Sequence, residues 1–147
     1  MDSYPKNHEL GRIDDLLLED SYALSRDVPL NLPAIQRAWP EFESSFDSLR
    51  GRRMMGLFYD DLGVYRMASV RLDRDVNNDL NLDETVVPGG SYLRLRLRGR
   101  APEIYEQIAP AFDVLFAFVD HDASRPHIEY YRRAGEIDCL VPTVSTV

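Results

Sequence analysis

The sequence predicts an α+β fold made of two β-α-β-β repeats related by a pseudo-two-fold axis. Three observations carry this. The order of elements repeats after about seventy residues. Pro40-Glu41-Phe42-Glu43-Ser44-Ser45-Phe46 matches Pro110-Ala111-Phe112-Asp113-Val114-Leu115-Phe116 in a Pro-x-Phe-acid-x-x-Phe pattern. Each unit ends in a hairpin whose turn carries a glycine, Gly63 or Gly135. Shared element order is weak evidence. Shared prolines at disfavoured helix positions are stronger, because an interior proline costs about 3 kcal/mol. Two such units form repeat one over about 20–72 and repeat two over about 87–143, within a single domain spanning 1–147, with a linker at 73–86. A groove can lie on the axis between them.

Residues 1–20 are polar and end on Leu16-Leu17-Leu18, which reads as either a short strand or a turn. Ser21 to Val28 reads as a strand, with Tyr22, Leu24 and Arg26 on one face. Asn31-Leu32-Pro33 opens a helix, with an Asn cap and Pro in the first turn. Ile35, Trp39, Phe42, Phe46 and Leu49 follow at spacings of three and four, giving one apolar stripe that Pro40 should bend or split. Met54 to Tyr59 and Val64 to Leu72 are strands around Asp60-Asp61-Leu62-Gly63. In the second repeat, Val87-Pro88-Gly89-Gly90 turns into the strictly alternating strand Ser91 to Arg98. Ala101-Pro102 opens the second helix, which Pro110 interrupts. Pro126 to Tyr131 and Ile137 to Val141 form the closing hairpin, ended by Pro142, which cannot donate to a ladder.

The chain has 147 residues, 44% hydrophobic and 29% charged, which suits one globular domain with a real core. A net charge of -8 argues against a nucleic-acid partner held by phosphate neutralisation. Cys139 is the only cysteine, so no intramolecular disulfide forms, and in its apolar run it reads as a small buried side chain. The polar N-terminus lacks a signal-peptide pattern, and no apolar run approaches spanning length, so a cytoplasmic protein with no membrane contact is expected.

Val87-Pro88-Gly89-Gly90-Ser91-Tyr92, the proline-marked helix, Pro126-x-x-Glu129-x-Tyr131 and the final strand ending Val141-Pro142 resemble the GyrI-like, or effector-binding, family. The resemblance covers roughly 20–143. That family includes the ligand-binding half of multidrug-sensing regulators and the stand-alone DNA gyrase inhibitor. The resemblance implies an antiparallel sheet with helices on one face and a ligand groove on the other. It also implies that Glu129 sits in that groove, facing cationic or polar aromatic ligands.

Glu129 is the residue to explain, since carboxylates are seldom buried without a partner. Counting from the turn glycines sets Leu57 as its counterpart and Tyr59 as that of Tyr131, so the groove carries acid on one side only. A desolvated Glu129 ringed by aromatics attracts a cation or acts as general acid or base. The plainer alternative is an ion pair on a solvated face.

Tyr22, Tyr59, Tyr92 and Tyr131 fall on the face assigned to the groove, where aromatic rings suit flat or cationic ligands, or else pair across strands. Trp39 either caps the groove wall or fills core. Arg94, Arg96 and Arg98 alternate with leucines and stand on the groove side or in solvent; Arg94 in reach of Glu129 would neutralise it. Phe42, Phe46, Phe112 and Phe116 read as core.

The stretch Asp73 to Glu84 spaces its oxygens like a calcium loop, with Asn78 at the glycine position, and reads as a solvated linker. His8, His121 and His127 form no cluster, and neither metal nor cofactor is expected.

The primary expectation is a small-molecule-binding module for an aromatic or cationic compound, acting by sensing, sequestration or detoxification. Alternatives that follow from the resemblance are a hydrolase of reactive electrophiles using Glu129, and a protein-interaction role with DNA gyrase as partner.

Overall fold

The computed structural model describes residues 5–75 and 80–144. Nine strands form one antiparallel sheet: β1 (Asn7–His8), β2 (Gly11–Leu18), β3 (Ser21–Pro29), β4 (Met54–Tyr59), β5 (Val64–Val70), β6 (Asp83–Val87), β7 (Gly90–Arg98), β8 (His127–Arg133) and β9 (Glu136–Pro142). Helices α1 (Leu32–Ser44) and α2 (Ile108–Phe118) cover one face. The strand order is β1-β2-β7-β9-β8-β4-β5-β3-β6. Repeat one supplies β3-α1-β4-β5 and repeat two β7-α2-β8-β9. The pseudo-two-fold axis therefore passes between β8 and β4.

The outer strands are exchanged between the halves. β2 leads into β3 but pairs with β7, and β6 leads into β7 but pairs with β3. Residues 1–20 thus hold strands, and the segment read as a linker contains most of β6. The exchange forces the sheet to curl. β2 and β3 lie six places apart in the strand order, as do β6 and β7. Six spacings in a flat sheet are about 29 Å, whereas the chain from Leu18 to Ser21 reaches at most about 11 Å. The sheet therefore curls, without closing, until β2 reaches β3 and β6 reaches β7 at these links, and the face away from the helices becomes concave. Leu57, Ile128, Leu140 and Tyr92 are buried there with no helix above them.

The helices cover two other clusters. Leu93, Leu95 and Leu97 of β7 pack against Ala111, Phe112 and Leu115 of α2. Leu24, Tyr65 and Met67 pack against Phe42 and Phe46 beneath α1. Asn31 caps α1, its Oδ1 accepting from Ala34 N–H at 2.9 Å. α1 runs through Pro40 and stops at Ser44, short of Leu49. α2 starts later than expected, at Ile108, after a 3-10 turn over Glu103–Gln107. Pro110 therefore lies in the first turn of α2 and breaks nothing, because first-turn N–H groups have no intrahelical partner. No helix among the described residues is long and apolar enough to cross a membrane.

Val76, Asn77, Asn78 and Asp79 of the calcium-loop reading lie outside the described residues. Asp75 is committed elsewhere. Arg52 grips it with two bonds of 2.8 Å, and Leu72 N–H donates to it at 3.0 Å. Both side chains are almost fully buried, 1% and 4% exposed, and the Arg52 guanidinium also lies 4.0 Å over the Phe46 ring. Removing one partner of such a pair leaves a buried, uncompensated charge. Arg52→Met should cost about 3–5 kcal/mol in denaturant unfolding at pH 7. The gap should narrow as pH falls through the carboxyl range, because an unpaired Asp75 can then protonate.

Candidate functional site

Cross-strand partners share a sheet face, so register fixes what surrounds Glu129. It pairs with Gly56 on β4 and Cys139 on β9. Its face therefore also carries Met54, Phe58, His127, Tyr131, Tyr65 and Ile137, and this is the face that bears the helices. The carboxylate stands near the pseudo-two-fold axis, between α1 and α2. It is 6% exposed.

Glu129 Oε1 accepts two hydroxyls, one from Tyr65 and one from Tyr131 at 2.8 Å. Trp39 of α1 donates its indole N–H to the Tyr65 oxygen at 3.1 Å. The Trp39 ring meets Tyr131 and Tyr65 edge-on at 5.4 and 6.2 Å. Phe58 meets Tyr65 edge-on and stacks on His127 at 4.3 Å, and Phe112 of α2 packs against both Phe58 and His127. An aromatic belt thus runs from α1 to α2 across the carboxylate.

No arginine or lysine makes an ion pair with Glu129 among the described residues. Burial raises its pKa from the ordinary 4.5, and the two tyrosine hydroxyls pull it partly back. Burial, and then the Glu129 charge, push Tyr65 and Tyr131 well above the usual phenol range, so both hydroxyls stay protonated as donors. Burial likewise lowers His127 from 6.5 to about 4, leaving it neutral. The site is a carboxyl group held by neutral donors in an aromatic surround, with no cationic partner among the described residues.

Neither a protein-family profile nor a curated protein sequence matches this chain. Solved structures share its fold. An integron cassette protein from the mobile metagenome of Vibrio cholerae superposes with a TM-score of 0.68 at 16% identity, over 90% of this chain and 95% of that one. SAV2435, described as bound to tetraphenylphosphonium, superposes with a TM-score of 0.64 at 12% identity, over 91% and 94%. A protein described as a hydrolase from Listeria innocua gives 0.52 at 12% identity, over 97% and 94%.

The expected site residues divide between the faces. Glu129, Tyr131 and Trp39 come together beneath the helices, rather than on the helix-free face where the groove was expected. Tyr22 lies on the same side of β3 as Leu24, yet at the β6 edge and 71% exposed, remote from Glu129. Tyr59 and Tyr92 point to the opposite face. Tyr59 lies under the Arg66 guanidinium, and Tyr92 is buried, donating to Pro88 O at 2.6 Å. Arg94 also points away from Glu129 and grips Asp14 at 2.9 and 2.7 Å, so it neutralises a different carboxylate.

The β8–β9 register shifts between Tyr131 and Arg133, where β8 holds an extra residue. That shift makes Gly56, not Leu57, the counterpart of Glu129. Sequence reasoning also passed over Tyr65, although its alternation with Val64 and Arg66 set it on the face of Met67.

Gly56 makes room for the cluster. A Cβ there would collide with the Tyr65 hydroxyl and come within 2.7 Å of Glu129 Oε1. Gly56→Ala should destabilise the fold by about 2 kcal/mol or more, read in thermal or urea unfolding, because the clash is with a buried, bonded side chain. Glu129→Gln should do the reverse at neutral pH. A raised folded pKa means that the acid form favours the fold and that ionisation opposes it as pH rises above 4.5. The Gln variant should therefore melt higher than wild type at pH 7, with the difference vanishing near pH 4.

Proposed function

We propose that the chain binds a small aromatic cation at Glu129, between the two helices, and so senses or sequesters such compounds. The observation that supports this most is the buried carboxylate without a cationic partner, bounded by Trp39, Tyr65, Tyr131 and Phe58. An organic cation supplies the missing charge, and aromatic faces favour it further. The reading agrees with the GyrI-like resemblance and with the tetraphenylphosphonium described on SAV2435. In this proposal Trp39 and Tyr131, both half-buried, are the side chains that the ligand displaces or stacks upon.

A second reading has support of its own. A carboxylate with a raised pKa beside protonated tyrosines is equipped for general base catalysis. Glu129 would take a proton from water as the oxygen adds to an electrophilic carbon, and a tyrosine hydroxyl would protonate the leaving atom. One fold neighbour is described as a hydrolase.

Tetraphenylphosphonium titration followed by the fluorescence of the single tryptophan, with mass analysis of the small molecule, tests both readings. Saturable binding, weakened at least tenfold in Glu129→Gln with the compound unchanged, is the expected result. Affinity should also fall as pH is lowered towards 4.5, because protonation of Glu129 removes the charge that attracts the cation. Consumption of electrophilic substrates by wild type only would favour the hydrolase. Equal behaviour of wild type and variant would overturn both, and a direct pull-down would then test gyrase.

A further inference from the structure

We infer that the helix-free face carries a second ligand site, for a small organic oxyanion with two or more negative charges. Arg94, Arg96 and Arg98 line up on β7 on the side away from α2, and Arg12 joins them from β2. With Asp14 and Gly11 they line an open depression of about 450 Å³. That volume falls within the range of small-molecule sites and exceeds what one inorganic ion fills. Gly11 lets β2 approach closely, since a Cβ there would strike the Arg96 carbonyl.

The arginines exceed what the sheet needs. Asp14 is gripped twice by Arg94, and Asp138 twice by Arg96, at 2.7 and 3.0 Å. Glu136 accepts from Arg132 and Arg133, with Arg96 and Arg98 at 3.3 and 3.5 Å. Five arginines therefore share three carboxylates, and Arg12 stands beside them as a sixth, in a chain whose net charge is -8. Arg12 makes no ion pair among the described residues and stands directly opposite Arg96. Like charges in directly opposed positions destabilise a sheet. Arg98 is 73% exposed along its side chain and makes only a 3.5 Å ion contact with Glu136 Oε1, short of a hydrogen bond.

Arg12, with no ion pair among the described residues, and Arg98, with one loose and exposed contact, thus flank the fixed Arg96. Guanidinium forks bind carboxylate and phosphate groups in pairs of bonds, which defines the ligand chemistry. Among the described residues no aromatic side chain lines the depression, which disfavours a nucleobase and favours a polycarboxylate or a sugar phosphate.

The test is calorimetric titration of the full chain with citrate, glucose 6-phosphate and sulfate at about 150 mM salt, where exposed charges are screened beyond about 8 Å. The double variant Arg12→Gln/Arg98→Gln is compared with wild type. It spares the bonds of Arg94 and Arg96, so its melting temperature without ligand should match wild type. Saturable binding of citrate or the sugar phosphate, at least tenfold tighter than sulfate and weakened at least tenfold in the variant, is expected. Either organic anion suffices, and their ratio separates carboxylate from phosphate recognition. Affinity no better than for sulfate, equal binding by the variant, or capture of an acidic peptide in place of both small anions would overturn the inference.

Discussion

Two links of two residues each, Glu19-Asp20 and Pro88-Gly89, constrain everything else in the sheet. They join strands that lie six places apart in the order, so the sheet cannot be flat. Curling gives the helix-free face a core of its own, with Leu57, Ile128 and Leu140 fully or almost fully buried. The exchange of β2 and β6 also ties each repeat to the other by two ladders beyond the central β4–β8 pairing. Neither half buries its first strand without a strand that belongs, in sequence, with the other.

That arrangement sets an axis, and the proposed site lies where the axis is broken. Gly56 and Glu129 face each other across β4 and β8. Identical residues there would place either two carboxylates or an empty centre in the interior. One glycine and one glutamate give a single buried charge with room around it. Like asymmetry extends outward: Tyr65 lies two rows from its matching apolar position, Ile137, and only the first of the two helices brings an indole to the cluster. The two-fold scaffold thus carries the proposed site on one side only.

Much of the fold was legible in the sequence. The paired proline motifs, the alternation of Ser91 to Arg98 and the turn glycines marked both repeats, because local periodicity and turn chemistry are written in adjacent residues. β2 and β6 were harder to see. Each is short or polar, and its partner strand lies in the other repeat, so nothing nearby marks it. At the site, Glu129, Tyr131 and Trp39 were legible as an odd carboxylate with aromatic neighbours. Which face they share was not, because side-chain direction has period two and one bulge at Tyr131/Arg133 reverses any count made from the turn. Glu129 and Tyr131 were therefore counted onto the helix-free face with Tyr59, Tyr92 and Arg94, and only the last three point there.

The same period of two explains why charges of opposite sign coexist in β7, β8 and β9 without cancelling. On β9, Cys139 faces Glu129, while its neighbour Asp138 faces Arg96 on the other side. The thickness of one strand separates a carboxylate that lacks a cation from arginines that outnumber their carboxylates. Had Arg94 or Arg96 stood one residue along, it would have pointed beneath α2, towards the carboxylate side. The alternation of leucine and arginine in β7 therefore does two things at once. Its leucines seal α2 to the sheet, and its arginines are kept from Glu129, the buried carboxylate that has no cationic partner among the described residues.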